Sequence, residues 1–237
     1  MLTQTTSKTE RVRTMFNDIA TRYDLLNKLM TFGVDRSWRN DAVSLLEEVQ
    51  PSTLLDVAVG TADLSLQIAQ KIPSLQSIVG VDISKEMLEK GEEKVAKSNF
   101  TTPITLMEAN CEALPFAEGS FDAVTCAFGV RNFERLEQSL TEMHRVTVEG
   151  GHIVILELSI PRNSLLRMGY IFWTHTFVPF VGSFVAHNRE AYHYLPRSVV
   201  AMPQYEAFTS LLSQVGYRNV SFTPLSGGIA TLYQAVK

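Results

Sequence analysis

The run Thr53-Leu54-Leu55-Asp56-Val57-Ala58-Val59-Gly60-Thr61-Ala62-Asp63 decides the fold. Its first five residues, Thr53–Val57, are a short apolar stretch of strand length, too brief for a buried helix. Gly60 follows, a residue that lets the chain turn tightly and lets a ligand come close to the backbone. Leu64–Ile72 then reads as a helix whose N-terminus presents unpaired N–H groups to the turn. A buried strand, a glycine turn and a helix in that order open a parallel α/β sheet.

Downstream the unit repeats. Ser77–Val81, Ile104–Ala109, Phe121–Ala127 and His152–Leu158 read as strands, with helices from a Ser84 cap through Val95 and over Glu134–Val146. Short apolar strands alternating with helices predict a parallel sheet covered on both faces. The tail differs. Pro203 opens a helix with Phe208, Leu211, Leu212 and Val215 facing in and Gly216 stopping it. Tyr217–Thr223 and Ile229–Val236 are strands joined by Ser226-Gly227-Gly228. The expectation is an α/β fold with a mainly parallel seven-stranded sheet, helices on both faces and a closing C-terminal β-hairpin.

Upstream, Ser7 and Glu10 form a capping box. Val12, Phe16, Ile19, Tyr23, Leu26 and Met30 then recur at helical spacing, predicting an amphipathic helix packed on the domain or over a cleft. A second helix follows Asp35, with Trp38, Ala42, Leu45 and Val49 on one face and Pro51 ending it. One domain over 1–237 is expected, with a helical cap over 1–50 and an apolar helical insertion over 160–202 covering the active site.

The 237 residues carry a formal net charge of −4, which offers no basic footprint for nucleic acid. Cys111 and Cys126 stand in no metal-like spacing and read as buried thiols of a reducing compartment; no metal site is expected. The N-terminus lacks the apolar core of a secretory signal, so a cytoplasmic protein is expected. Met168–Ala186 contains no Asp, Glu, Lys or Arg, close to the ~20 apolar residues of a membrane helix. His175, Pro179 and Gly182 inside it favour a broken helical pair over a span.

Asp56, Asp82 and Asn110 fall at the ends of three consecutive predicted strands, where open α/β sheets bind ligands. Asp82 can accept hydrogen bonds from both hydroxyls of a ribose, or simply cap the next helix together with Ser84. Asn110 can read an adenine edge, or serve as a turn asparagine. Ala58 and Ala62 stand near the positions where a G-x-G-x-x-G dinucleotide fingerprint needs glycine, which argues against a close pyrophosphate and so against NAD. S-adenosylmethionine has no pyrophosphate and tolerates that loss.

Four stretches carry a resemblance over nearly the whole chain, from about Val12 onward. They are Tyr23-Asp24-Leu25-Leu26-Asn27 with Trp38; Leu55–Thr61; Ala109–Phe116 with Phe121-Asp122 and Phe128-Gly129-Val130-Arg131-Asn132; and Arg145-Val146 through Gly150-Gly151 to Glu157-Leu158-Ser159. In these the sequence resembles the menaquinone/ubiquinone C-methyltransferase family, of the class I (Rossmann-like) methyltransferase fold. It departs from the family at Ala62, where glycine is usual, at Asp35, where histidine is usual, and at Val148-Glu149, where Lys-Pro is usual. The resemblance implies S-adenosylmethionine as cofactor, held by Thr61, Asp82, Asn110 and the backbone of Cys111, with Gly60 shaping the pocket; Asp56, at the end of the first strand, is expected among the cofactor-binding residues too. It implies a prenylated quinol as acceptor.

A quinol carbon becomes nucleophilic when the neighbouring hydroxyl, with an ordinary pKa of about 10, is ionised. Arg131 is the candidate cation for that task, against the alternative of a surface arginine or one paired with Glu134. Asn132 is placed to bond a ring oxygen, and Tyr23 to orient the ring or simply fill its helix's apolar face. Asp24 or a water takes the proton. His144 reads as structural. Phe172, Trp173, Phe177, Phe180 and Phe184 are expected to line a groove for the prenyl tail or to touch the bilayer at the inner face of the membrane. Competing expectations are methylation of another lipophilic phenol and a non-catalytic subunit of a quinone-synthesis complex. The sequence leaves a homo-oligomer open.

Overall fold

A computed structural model describes residues 7–177 and 189–237. Seven strands form one sheet in the order β3-β2-β1-β4-β5-β7-β6. They are β1 (Thr53–Val57), β2 (Ser77–Asp82), β3 (Ile104–Glu108), β4 (Phe121–Ala127), β5 (Thr147–Leu158), β6 (Arg218–Leu225) and β7 (Ala230–Val236). The first five run parallel, while β7 lies antiparallel between β5 and β6. The expected α/β class, strand number and closing hairpin are all present.

Residues adjacent in sequence go to opposite faces, as the pleat demands. Leu55, Val57, Val124, Cys126 and Ile155 pack with Leu140 and Met143 of α6 (Leu136–Val146) and with Phe208 and Leu212 of a helix over Glu206–Val215. Leu54, Ile78, Ala123, Val154 and Leu156 pack on the other face with Trp38, Ala42 and Leu46 of α3 (Asp35–Val49) and Leu64 and Ile68 of α4 (Asp63–Lys71). Helices α3 and α4 are therefore one layer of the core. Of the expected 1–50 cap, only the part before α3 lies over the site.

That part is broken where one helix was expected. α1 (Lys8–Ile19) passes through a single 3-10 turn, Ala20–Arg22, into α2 (Tyr23–Thr31). The apolar spacing continues through the break, so periodicity does not reveal it. Two further helices flank the segment outside the described residues: α7 (Ser164–Phe172), continued by a π-helical turn over Trp173–Phe177, and α8 (Arg189–Ala201). Helix α5 (Lys85–Ala96) and α9 (Glu206–Val215) complete the set among the described residues.

Strand register puts the functional edge in place. Asp56 pairs with Gly80 and Thr125, and Asp82 with Glu108, so the carboxyl ends of β1 to β4 share one edge. Gly129 lets two turns meet there, because a Cβ on it would stand 2.6 Å from both Ala58 Cβ and Cys126 Sγ.

Asp56 lies beneath that edge, fully buried. Ser65 and Thr125 hydroxyls donate to its two carboxylate oxygens at 2.6 and 2.8 Å. Burial pushes its pKa up to about 6 despite those two donors. An acid whose pKa is higher folded than unfolded binds its proton more tightly in the fold. Its contribution therefore falls as pH rises from about 4 to about 6, then levels off. Asp56→Asn should remove this slope and gain stability at pH 8 of about 1–3 kcal/mol. Denaturant titrations of both proteins at pH 4.5 and 8 check it, and equal differences at the two pH values contradict it.

Candidate active site

Two cavities meet above the carboxyl edge. The larger, about 680 Å³, is lined by Val57, Ala58 and Gly60 after β1, Asp82 and Ile83 after β2, Asn110 and Cys111 after β3, and Phe128, Gly129 and Asn132 after β4. Helix α1 closes it with Val12 and Phe16. The smaller, about 490 Å³, lies between α1, α2 and α8 and is lined by Met15, Phe16, Ile19, Tyr23, Leu26, Asn27, Met30, Arg131, Tyr194 and Leu195. Phe16 and Tyr23 belong to both walls. Their volumes suit small organic ligands.

Asp82 organises the larger cavity. One carboxylate oxygen accepts from the Gly60 N–H at 2.9 Å, the other from the Ser84 N–H at 2.9 Å. Each oxygen has a further lone pair for a ligand hydroxyl. Burial raises the pKa of Asp82, and the surrounding N–H groups oppose that rise. Ser84 caps α5 by accepting from Met87 N–H, so both expected roles coexist: Ser84 carries the cap and Asp82 the loop. Asn110 Oδ1 accepts from the Glu112 N–H, the turn role expected of it, and the residue also lines the cavity. Cys111 is buried, its Sγ 3.4 Å from Ser139 Oγ, and burial pushes its thiol up to about 12. That leaves it no nucleophilic role. Ala58, Ala62 and Phe128 hold positive φ of 56°, 65° and 59° around these turns. Left-handed backbone of this kind costs about 1–2 kcal/mol per residue, a strain concentrated where a ligand meets the backbone.

The α1–α2 strap is pinned at three points. Lys8 Nζ donates to the carbonyls of Arg131 and Phe133, and Glu134 accepts from Thr9 N–H and Oγ1. Ser84 Oγ donates to Asn17 Oδ1 at 2.7 Å. Asp24 accepts from Thr61 Oγ1 at 2.7 Å and pairs with Lys94 at 2.6 Å. This corrects two expectations. Asp24 fastens the strap to α5 and does not face the acceptor-sized cavity as a proton acceptor. The Thr61 hydroxyl donates to Asp24 and accepts from the Lys94 ammonium, so its proton is already engaged and cannot be donated to a cofactor.

Arg131 is also placed differently from the expected free cation. It pairs with Glu157 at 2.6 Å, both side chains buried, and donates to the Phe128 carbonyl. Burial opposes its charge, but Glu157 outweighs that and raises its pKa. Glu134, the alternative partner, is engaged by Thr9. Three polar atoms here have no partner among the described residues: Arg131 Nε, Asn132 Oδ1 and Tyr194 Oη. A buried polar group left unpaired costs about 1–3 kcal/mol, so the site awaits a ligand that bonds them. Tyr23 is bonded to Asn27, and burial raises its pKa, keeping it a neutral phenol. His144 stacks edge-on against Tyr217, away from both cavities, as the structural reading required.

Glu157 and Tyr194 have no place among the sequence-derived candidates. Glu157 had a signal: an acid at the carboxyl end of β5, on the same edge as Asp56 and Asp82. Tyr194 had little, because Pro196 interrupts the periodicity of α8.

The sheet order, the carboxylate after β2 and the adenosyl-sized cavity define an S-adenosylmethionine-dependent methyltransferase of class I. A methyltransferase from Thermotoga maritima shares this fold at a TM-score of 0.66 with 16% identity, covering 95% of this chain and 99% of that one. The chain belongs to the ubiE/COQ5 methyltransferase family, whose model matches residues 4–237. It is 46% identical to a demethylmenaquinone methyltransferase from Porphyromonas gingivalis, over 97% of this chain and 94% of that one. It is 47% identical to a ubiquinone/menaquinone biosynthesis C-methyltransferase from Geotalea uraniireducens, over 98% of each chain.

Asp82→Asn should keep the fold, since one acceptor oxygen remains, yet weaken S-adenosylmethionine about tenfold to a hundredfold by losing a charged acceptor. Titration calorimetry reads the change. An unaltered Kd would separate this carboxylate from cofactor binding.

Proposed function

We propose that this enzyme transfers a methyl group from S-adenosylmethionine to a ring carbon of a prenylated quinol. The acceptor is demethylmenaquinol, the methoxy-benzoquinol of ubiquinone synthesis, or both. The observation that carries this reading is the second, largely apolar cavity, which shares Phe16 and Tyr23 with the cofactor cavity and has Arg131 and Tyr194 among its few polar lining residues. A planar ring with polar oxygens and an apolar tail matches that lining. Bound in the larger cavity, the cofactor supplies an electrophilic methyl on a sulfonium, which departs as a neutral thioether.

The chain's residues supply position and polarity. Tyr23 and Phe16 fix the ring from the strap. Asn132, whose Nδ2 donates to the Phe128 carbonyl, lines the cofactor cavity beside Arg131 and keeps a buried Oδ1 without a partner among the described residues, an acceptor for a ligand hydroxyl there. Arg131 faces the acceptor with its charge balanced by Glu157, so it acts as an oriented donor and not as a bare cation. The quinol O–H proton leaves to water, the ring carbon's electron pair forms the new C–CH3 bond, and the ring C–H proton follows to restore aromaticity. Holding the reacting atoms about 3–3.5 Å apart in a water-poor site supplies much of the rate.

We further propose that the enzyme meets its acceptor at a lipid surface. Phe32, Leu165, Met168 and Phe172 are 65–72% exposed, and Phe32 touches Trp173, joining the tip of α2 to α7. Residues 160–188 contain Arg162 and Arg167 but no acid; Arg162 pairs with Glu206, which leaves Arg167, on α7 itself, as the charge suited to anionic headgroups. No helix among the described residues is long and apolar enough to cross a membrane. The expected tail groove rests partly on Phe180 and Phe184, outside the described residues, and on the Phe177 side chain, equally undescribed.

Arg131→Ala should lower kcat on demethylmenaquinol about a hundredfold or more with the cofactor Kd kept. It strands Glu157, which costs about 3–5 kcal/mol, so the Glu157→Gln background separates the two effects: there the kcat loss persists and the stability loss shrinks. Loss of cofactor binding in parallel would move Arg131 to the cofactor's shell. For the surface, flotation with phosphatidylglycerol vesicles should recover the wild type, and Met168→Asp/Phe172→Asp should lose about tenfold or more of that binding. Equal recovery of both proteins contradicts the lipid reading.

A further inference from the structure

Tyr194 is the one described phenol of the acceptor cavity that has no partner. Its hydroxyl is buried and bonded to nothing among the described residues. It stands on α8, which packs against the turn Val130–Asn132, and it is close enough to Arg131 for each to influence the other's ionisation. Arg131 lines the same cavity and carries the other orphaned donor, Nε. Its remaining hydrogen bonds to Glu157 and to the Phe128 carbonyl fix the guanidinium plane, so Nε–H cannot turn to another partner. Tyr23, across the cavity, is bonded to Asn27 and is not in the same position.

An O–H and an N–H, both donors, both buried and both without an acceptor among the described residues, belong to two neighbouring residues that line one apolar cavity. Buried donors are satisfied in folded proteins, so their acceptor arrives with the ligand. Two convergent donors suit an oxygen carrying developing negative charge. Among the described residues, the acid within reach of Arg131 is Glu157, and it is held by the guanidinium, by the Arg131 N–H and by the Leu158 N–H.

We propose that Tyr194 Oη and Arg131 Nε form a two-donor hole for the acceptor's ring oxygen, the oxygen beside the carbon that receives the methyl group. Tyr194 thereby touches the substrate and stabilises the phenolate form, placing the electron pair on the adjacent carbon. The inference rests on the quinol reading above and names the group that selects a hydroxylated ring. Its donor geometry discriminates against a ring whose oxygen is blocked by alkylation, because neither orphan would then meet charge.

Tyr194→Phe deletes one hydroxyl and keeps the ring, so packing of α8 is preserved and an unchanged thermal midpoint verifies it. Two measurements test the proposal. In turnover, Tyr194→Phe lowers kcat on the quinol about tenfold to a hundredfold, leaves the cofactor Kd unchanged, and moves the rise of the pH–rate profile to higher pH by about one unit. In binding, a chromophoric hydroxynaphthoquinone is titrated against pH in the complex with S-adenosylhomocysteine. Its absorbance reports phenolate formation with no catalysis required. The bound dye ionises at lower pH in the wild type than in Tyr194→Phe, again by about one unit. An identical dye titration in the two proteins overturns the proposal, as does an unshifted pH–rate profile. A wild type that binds and ionises the dye normally but methylates no quinol leaves the hole standing and refutes the quinol reading instead.

Discussion

The carboxylate of Asp82 is the constraint on which the rest depends. By accepting from Gly60 N–H and Ser84 N–H, it ties the turn after β1 to the start of α5. Ala58 and Ala62, both at positive φ, flank the Gly60 N–H that Asp82 holds. The tie also reaches the strap, since the same Ser84 bonds Asn17 of α1. One buried charge thus sets the floor of the cofactor cavity and the seat of its cover. Its raised pKa reflects the cost of removing that charge from water, which two backbone donors offset in part and ligand hydroxyls offset further.

The second organising interaction is the Arg131–Glu157 pair. A buried pair contributes little net stability, because desolvation cancels much of the attraction. Its consequence is geometric: it holds the guanidinium with one face of its donor set turned to the acceptor cavity. The sequence reading placed a bare positive charge beside the quinol. The structure instead pairs that guanidinium with Glu157 and with the Phe128 carbonyl, so Arg131 stands in the wall of the second cavity as a charge-balanced, oriented donor.

Strand identity and order were readable because every strand of the parallel core is a short apolar run bounded by turn residues. Asp56, Asp82 and Asn110 were readable as one set because strand ends in such a sheet share an edge. Other features depended on partners far away in sequence. Asp24 and Thr61 were each assigned to ligands, and they bond each other across 37 positions. Strand β5 begins at Thr147, five residues before the expected His152, because Gly150-Gly151 reads as a turn; in the fold these residues continue the strand past an irregular register against Phe121–Ala123. The break between α1 and α2 was hidden because a 3-10 turn preserves the apolar spacing on either side. Tyr194 was hidden because a polar atom's lack of a partner is a property of three dimensions only.

The strap unites these elements into one device. Phe16 and Tyr23 line both cavities, so one pair of rings on the strap borders the two spaces at once. Its fastenings, Lys8, Thr9, Asn17 and Asp24, are polar and partly exposed, and such bonds exchange with water at modest cost. The groups beneath it, Asp82, Arg131 and Glu157, are buried and set by the sheet. The floor is therefore held by groups set in the sheet and the cover by exchangeable polar bonds.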